Sequence, residues 1–271
     1  MASVTQRIGQ IKQPRGGYLP VAKFEVTELH DNRMIYDINF KKWSARSGLV
    51  VDYISRWIYC DVPKEKAFEI SLMGAQIAQQ RKPEINFVEK ASQYLGYITQ
   101  PLTDYWSVVA ALKLVGYDVF YRAPEILDKP YEPDESANEQ PELEVVRNIQ
   151  TMLMRSGEFF AYLKNKQGGQ PLLPEYTFEG GYTATVDAGD GDFASIDTLW
   201  DMKCIKGEIT PKYTLQILMY YIMGLHSQYP FYQNIKYLGF FNPFLHKVYR
   251  IPVANIDKSV IATVEKDIIC Y

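Results

Sequence analysis

The sequence predicts an α/β fold in which a sheet occupies the second half of the chain and helices dominate the first. Three observations predict it. From Pro141 onward the apolar spacing reads as helix, three strands, helix, two strands and helix. Ahead of it, most periodic stretches repeat at three- and four-residue steps. Hydrophobic residues make up 47% of the 271, which supports a substantial core and argues against disorder. The length allows one large domain or two small ones. The expected division is a mainly helical region over 1–127, an acidic, Pro-containing linker or loop over 128–140, and a mixed-sheet core over 141–271.

Residues 1–20 read as an irregular arm, with Pro14, Gly16, Gly17 and Pro20 as breakers. Phe24 to Val26 suggests a short strand. Val50, Tyr53, Ile54, Trp57 and Ile58 set a helical pattern over Phe40 to Tyr59. Lys41, Lys42, Arg46 and Arg56 decorate that region; a solvated helix face explains them better than a phosphate-touching patch. Pro63 fits the first turn of a second helix running to Gln80, with Ala67, Ile70, Leu72 and Ala75 as its buried side. A third helix spans Pro83 to Ile98. Thr103 or Asp104 caps a fourth, which ends before Gly116. Tyr117 to Tyr121 reads as a strand. Between Asp128 and Glu144 lie seven acidic residues against one lysine, interrupted by Pro130, Pro133 and Pro141, the composition of an exposed loop.

Pro141 opens a long helix through about Leu163, with Val145, Ile149, Met152 and Leu153 as its core stripe. After Gly168-Gly169 a strand is expected from Tyr176 to Val186, followed by a hairpin. Phe193 to Ser195 forms one arm, Thr198 to Cys204 the other, and Ile196-Asp197 the tip. With an even loop centred there, Asp192 lies directly opposite Asp201, and Lys203 shares the face of Asp201. Directly opposed like charges repel, so two carboxylates in this position call for a divalent cation. An all-oxygen site suits Mg²⁺ or Mn²⁺. Helix Pro211 to Leu225 places Lys212, Gln216 and Tyr220 on one face at i, i+4 and i+8. A strand pair, Ile235 to Phe241 and His246 to Ile251, and a last helix from Asp257 to Ile269 complete the chain.

An Asp followed nine residues later by Asp-x-Lys across a hairpin resembles the signature of the PD-(D/E)XK nuclease superfamily. The Gln216-x-x-x-Tyr220 pair on the next helix is similar to the extra motif of its exonuclease-like branches. The resemblance covers roughly residues 141–271, and Gly191 stands where the superfamily's name has Pro. It implies a restriction-endonuclease-like mixed sheet flanked by helices, and a Mg²⁺- or Mn²⁺-dependent phosphodiesterase acting on DNA. Asp192 and Asp201 would hold the metal. Lys203 would assist the attacking water, and Gln216 would hydrogen-bond Lys203 or a phosphate. Lys206, Lys212 and Tyr220 would contact substrate, with Asp187 and Asp190 as further ligand candidates. The alternative is an inactive protein of the same fold that binds nucleic acid or a partner protein. The helical half would shape the groove or recruit that partner.

Other chemistries lack their residues. His30, His226 and His246 are isolated, no nucleophile elbow or phosphate-cradling Gly loop with Lys-Ser/Thr is present, and three scattered Cys give no zinc or disulfide spacing. No apolar run approaches the ~18 residues of a membrane span, and the start of the chain carries no apolar signal core, so a cytoplasmic setting is expected. The formal net charge of −3 means that any phosphate-binding surface must be local.

Overall fold

The computed structural model describes residues 2–37, 43–99, 104–128 and 140–271. They divide into two compact units: Asn32–Phe159, and Met1–Asp31 together with Phe160–Tyr271. The division in space differs from the one expected along the chain. Residues 1–31 join the sheet unit, and most of the long helix Leu143–Lys166 joins the helical one. Of the expected acidic linker, 129–139 lies outside the described residues, as do Lys41 and Lys42.

The Asn32–Phe159 unit is helical throughout its regular structure. Its helices are Ser44–Tyr59, Lys64–Ala67, Glu69–Arg81, Phe87–Tyr97, Tyr105–Leu114 and Asp118–Arg122, with the first two-thirds of Leu143–Lys166. Val50, Ile54, Phe68, Phe87, Leu112 and Ile149 are fully buried among them. Asp104 caps its helix as expected, accepting the Ser107 N–H at 2.8 Å. The expected single helix over 63–80 is broken at Phe68, whose buried ring marks the step between two helices. The expected strand at 117–121 is helical instead. A five-residue aromatic run does not distinguish strand from helix by its period, and here Asp118 decides: its buried carboxylate accepts the Tyr53 and Ser71 hydroxyls, each at 2.5 Å. Arg56 also departs from expectation. It is buried rather than solvated, packed over the Tyr53 ring at 4.7 Å and paired with Asp52.

The second unit is built on a six-stranded mixed sheet. Its strands are β1 Glu25–Glu28, β2 Leu173–Tyr176, β3 Gly191–Ala194, β4 Thr198–Met202, β5 Tyr237–Asn242 and β6 Lys247–Pro252, in the order β1-β6-β5-β4-β3-β2. The β4–β5 pair is parallel and every other pair antiparallel. A parallel pair requires a crossover, which helix Pro211–His226 supplies. Pro at its first position costs no hydrogen bond. Its apolar face, including Leu215, Leu218 and Ile222, packs with Leu199, Leu238 and Phe240 of the sheet in one core.

Two expectations change in this unit. The strand expected over 176–186 ends at Tyr176, and the chain then turns: the Gly181 N–H bonds the Phe178 carbonyl and Thr183 N–H that of Val186. Tyr176, Phe178 and Val186 still supply the apolar side chains that suggested a strand, but they enter the core from a bent backbone. The first twenty residues are irregular as expected over 11–20, but not before. Val4–Gln10 is a helix opened by a capping box, Ser3 accepting from Gln6 N–H and the Gln6 side chain from Ser3 N–H. Val4 N–H bonds the Ala188 carbonyl, and the Thr214 hydroxyl donates to Leu19 at 2.6 Å. These bonds fasten the arm to the sheet unit.

Candidate active site

The hairpin β3–β4 has the register the sequence implies. Phe193 faces Trp200 and Ala194 faces Leu199, so Asp192 and Asp201 occupy the next opposed positions. The tip closes with the Ser195 N–H on the Thr198 carbonyl. Arg250 holds it from β6, donating to Asp197 and to the Thr198 hydroxyl while lying 3.6 Å over the Tyr237 ring. Every residue of β4 is buried, and Asp201 is the one carboxylate among Thr198, Leu199, Trp200, Asp201 and Met202. An ionised carboxylate in that position is costly without a partner. Lys203 provides one, its ammonium 3.0 Å from Asp201 Oδ1 and 2.7 Å from Oδ2.

The remaining donors of Lys203 are used by the next helix. Its Nζ donates to Gln216 Oε1 at 3.2 Å and lies 4.8 Å from the centre of the Tyr213 ring. Gln216 Nε2 donates in turn to the Tyr220 hydroxyl at 2.9 Å. Since an ammonium only donates, Gln216 must present its oxygen to Lys203 and its amide N–H₂ to Tyr220. The stripe read from the sequence therefore runs from solvent to core. Lys212 is exposed, Gln216 half-buried and Tyr220 4% exposed, stacked on Phe178 and edge-on to Tyr176. Tyr220 accordingly supports Gln216, and the expectation that it touches substrate is corrected by its burial.

Asp192 is half-buried, and its Oδ2 accepts the Met202 N–H at 2.5 Å. Its Oδ1 accepts no hydrogen bond among the described residues. Burial and the nearby Asp201 push its pKa up to about 7, against the opposing pull of Lys203 and the Met202 N–H. Burial works against the Lys203 ammonium, yet Asp201 and Asp192 outweigh it and hold that pKa above the ordinary lysine range. Tyr176 and Tyr220 are driven well above 10, first by burial and then by Asp201. The donor set is two opposed carboxylates that raise each other's affinity for positive charge, with one open oxygen. Such a set fits a hard divalent cation.

Gly191 shapes this corner. A Cβ there would fall about 1.9 Å from the Tyr176 ring, so only glycine lets that ring lie under β3, with its hydroxyl on the Trp200 carbonyl. Asp190 is exposed and adds to the field that raises Asp192. Asp187 is exposed too, its backbone N–H bonded to Ala2. Lys206 and Lys212 are both exposed on the segments flanking Lys203. Sequence reasoning missed two neighbours of the site. Tyr213 lies three residues ahead of Gln216, one helical turn, and could have been found from that spacing. Glu175 could not, because the strand expected from the sequence begins after it, at Tyr176. The register through Leu173–Ala194, Pro174–Phe193 and Tyr176–Gly191 sets it beside Asp192, on an exposed residue with φ 45°.

No family model, no curated protein and no solved structure matches this chain. Among the described residues, no helix is long and apolar enough to cross a membrane.

Proposed function

We propose that the protein is a metal-dependent nuclease of the PD-(D/E)XK type, with a restriction-endonuclease-like sheet and DNA as substrate. The observation that carries the reading is the placement of Asp192 and Asp201 across one hairpin, with Lys203 bonded both to Asp201 and to Gln216 of the crossover helix. Asp192 and Asp201 would hold Mg²⁺ or Mn²⁺. A bound cation supplies Lewis acidity toward the phosphate and lowers the pKa of a bound water. Lys203, set beside that position, would neutralise the scissile phosphate or orient the attacking water. Gln216 fixes the direction of the Lys203 ammonium, and Tyr220 fixes Gln216. Asp201, bound to a cation, would give up part of its hold on Lys203, freeing an N–H for the phosphate oxygen.

The formal charge of −3 favours a second reading, a non-catalytic protein of this fold that binds nucleic acid or another protein. One experiment separates the two. Purified protein is incubated with linear duplex, circular duplex, single-stranded DNA and RNA, with Mg²⁺, with Mn²⁺ and with a chelator. The nuclease reading expects metal-dependent cleavage of at least one substrate, lost in Asp201→Ala. Failure on the whole panel with both metals refutes it.

A further inference from the structure

Charge in this chain is segregated. Residues 1–24 contain Arg7, Lys12, Arg15 and Lys23 and no acidic side chain, although the whole chain is net acidic. Arg7 is consumed internally, bonded to the carbonyls of Ile268 and Asp267. Lys23 lies near Asp257, whose carboxyl is held low first by hydrogen bonds from Ser259 and then by that ammonium. Lys12 and Arg15 are exposed, and among the described residues neither they nor Lys212 make a hydrogen bond or ion pair.

The arm docks against the start of the crossover helix. The Gly17 N–H donates to the Pro14 carbonyl at 2.9 Å, closing a tight turn with Arg15 at its outer corner. Gly16 has a φ of 85°, which a type II turn requires at the position after Arg15, and Gly17 follows at 86°; a larger residue would be strained at either. The turn seats on Pro211, where the Gln13 amide donates to its carbonyl at 3.2 Å and a Cβ on Gly17 would lie 2.7 Å from its ring. Pro211 is the first residue of the helix whose next turn carries Tyr213 and Gln216 at Lys203. Five residues of helix advance about 7.5 Å, and phosphates of one duplex strand advance 3.4 Å each. The start of the helix, where the turn carrying Arg15 seats and Lys212 follows, is therefore about two nucleotide steps along the axis from Gln216.

We infer that Lys12 and Arg15 of the N-terminal arm, with Lys212, form a phosphate-binding surface that grips the nucleic-acid backbone beside the scissile position. This rests on the nuclease reading and extends it, assigning substrate grip to a segment outside the motif. The test uses the full chain carrying Lys203→Met, so that a fluorescein-labelled 20-base-pair DNA stays intact, and reads anisotropy across a salt series. Lys12→Gln with Arg15→Gln should weaken binding roughly tenfold at 0.15 M salt and flatten the log–log slope by about one to two units. Arg15→Lys should recover most of the loss that Arg15→Gln alone produces. A thermal melt unchanged from the parent shows that the arm remains docked. Unchanged affinity and slope in the double glutamine variant overturn the surface and leave the nuclease reading standing. An equal loss from Lys258→Gln with Lys266→Gln, which removes the same charge elsewhere, overturns it too. No DNA binding by the parent at low salt overturns the nuclease reading itself.

Discussion

Lys203 is the residue on which the site turns, because its ammonium serves the carboxylate that would also hold a cation. Replacing it with Met should abolish cleavage and leave Mn²⁺ binding at least as tight, since a competing positive charge on Asp201 is gone. Calorimetric titration checks this, and weaker Mn²⁺ binding in the variant would refute it. Asp192 makes the site sensitive to pH. Its folded pKa of about 7 exceeds the ordinary ~3.9 of an unfolded aspartate. The folded state thus keeps a proton that the unfolded chain loses, and the resulting stability is complete below pH ~4 and lost as pH rises toward 7. In chelator, the melting temperature should fall between pH ~4 and 7 and level off above, by the equivalent of roughly 2 kcal/mol for a half-buried group. Asp192→Asn should flatten that fall, and an equal fall in the variant would assign it to other groups. Metal binding must displace the same proton, so Mn²⁺ affinity should drop about tenfold per pH unit below 7. These residues were legible in sequence because a strand alternates strictly, which lets one centred turn fix every facing pair. Tyr213 is legible only through its one-turn spacing from Gln216, because an aromatic at a helix start usually belongs to a core.

Elements were legible where a periodic run was long and bounded. The crossover helix, the Leu143–Lys166 helix and the β5–β6 pair fall within a few residues of expectation. The departures occur where tertiary contacts override a short signal. Residues 117–121 became helical around buried Asp118, and 177–186 bent to insert aromatics beneath the sheet. Gly191 ties local geometry to the site: Gly191→Ala should cost about 2–3 kcal/mol from crowding against Tyr176 and weaken metal binding by shifting Asp192. Chemical denaturation and Mn²⁺ titration would show both effects, and a variant of wild-type stability would mean that the ring moves aside freely. Ser3→Ala, which removes the capping box of the arm helix, should cost about 1 kcal/mol in the same measurement.

For the whole molecule, the distribution of charge bears on a polyanion partner more directly than its balance. A net −3 does not exclude a polyanion partner when every charged side chain in residues 1–24 is positive. Lys12, Arg15, Lys206 and Lys212 are four exposed cations on the arm and the segments flanking Lys203. DNA binding should therefore show a shallow log–log salt slope, near −3 to −4, at about 0.9 per phosphate neutralised. A slope near −10 would require a cationic surface elsewhere. The sequence could not reveal that the arm belongs with the sheet, because the bonds that fasten it join Ala2 to Asp187 and Leu19 to Thr214, far apart along the chain.

That fastening has a consequence in time. Asn32–Phe159 leaves the ribosome as one continuous stretch and can fold on emergence. Residues 1–31 cannot find their place until Thr214, Phe240 and Ile268 have been made. At about 5–20 residues per second, the arm waits on the order of 10–50 seconds. Throughout that interval the four cations of residues 1–24 are held out on a nascent chain, followed only at its end by Glu25, Glu28 and Asp31, and the hairpin that carries Asp192 and Asp201 is not yet built.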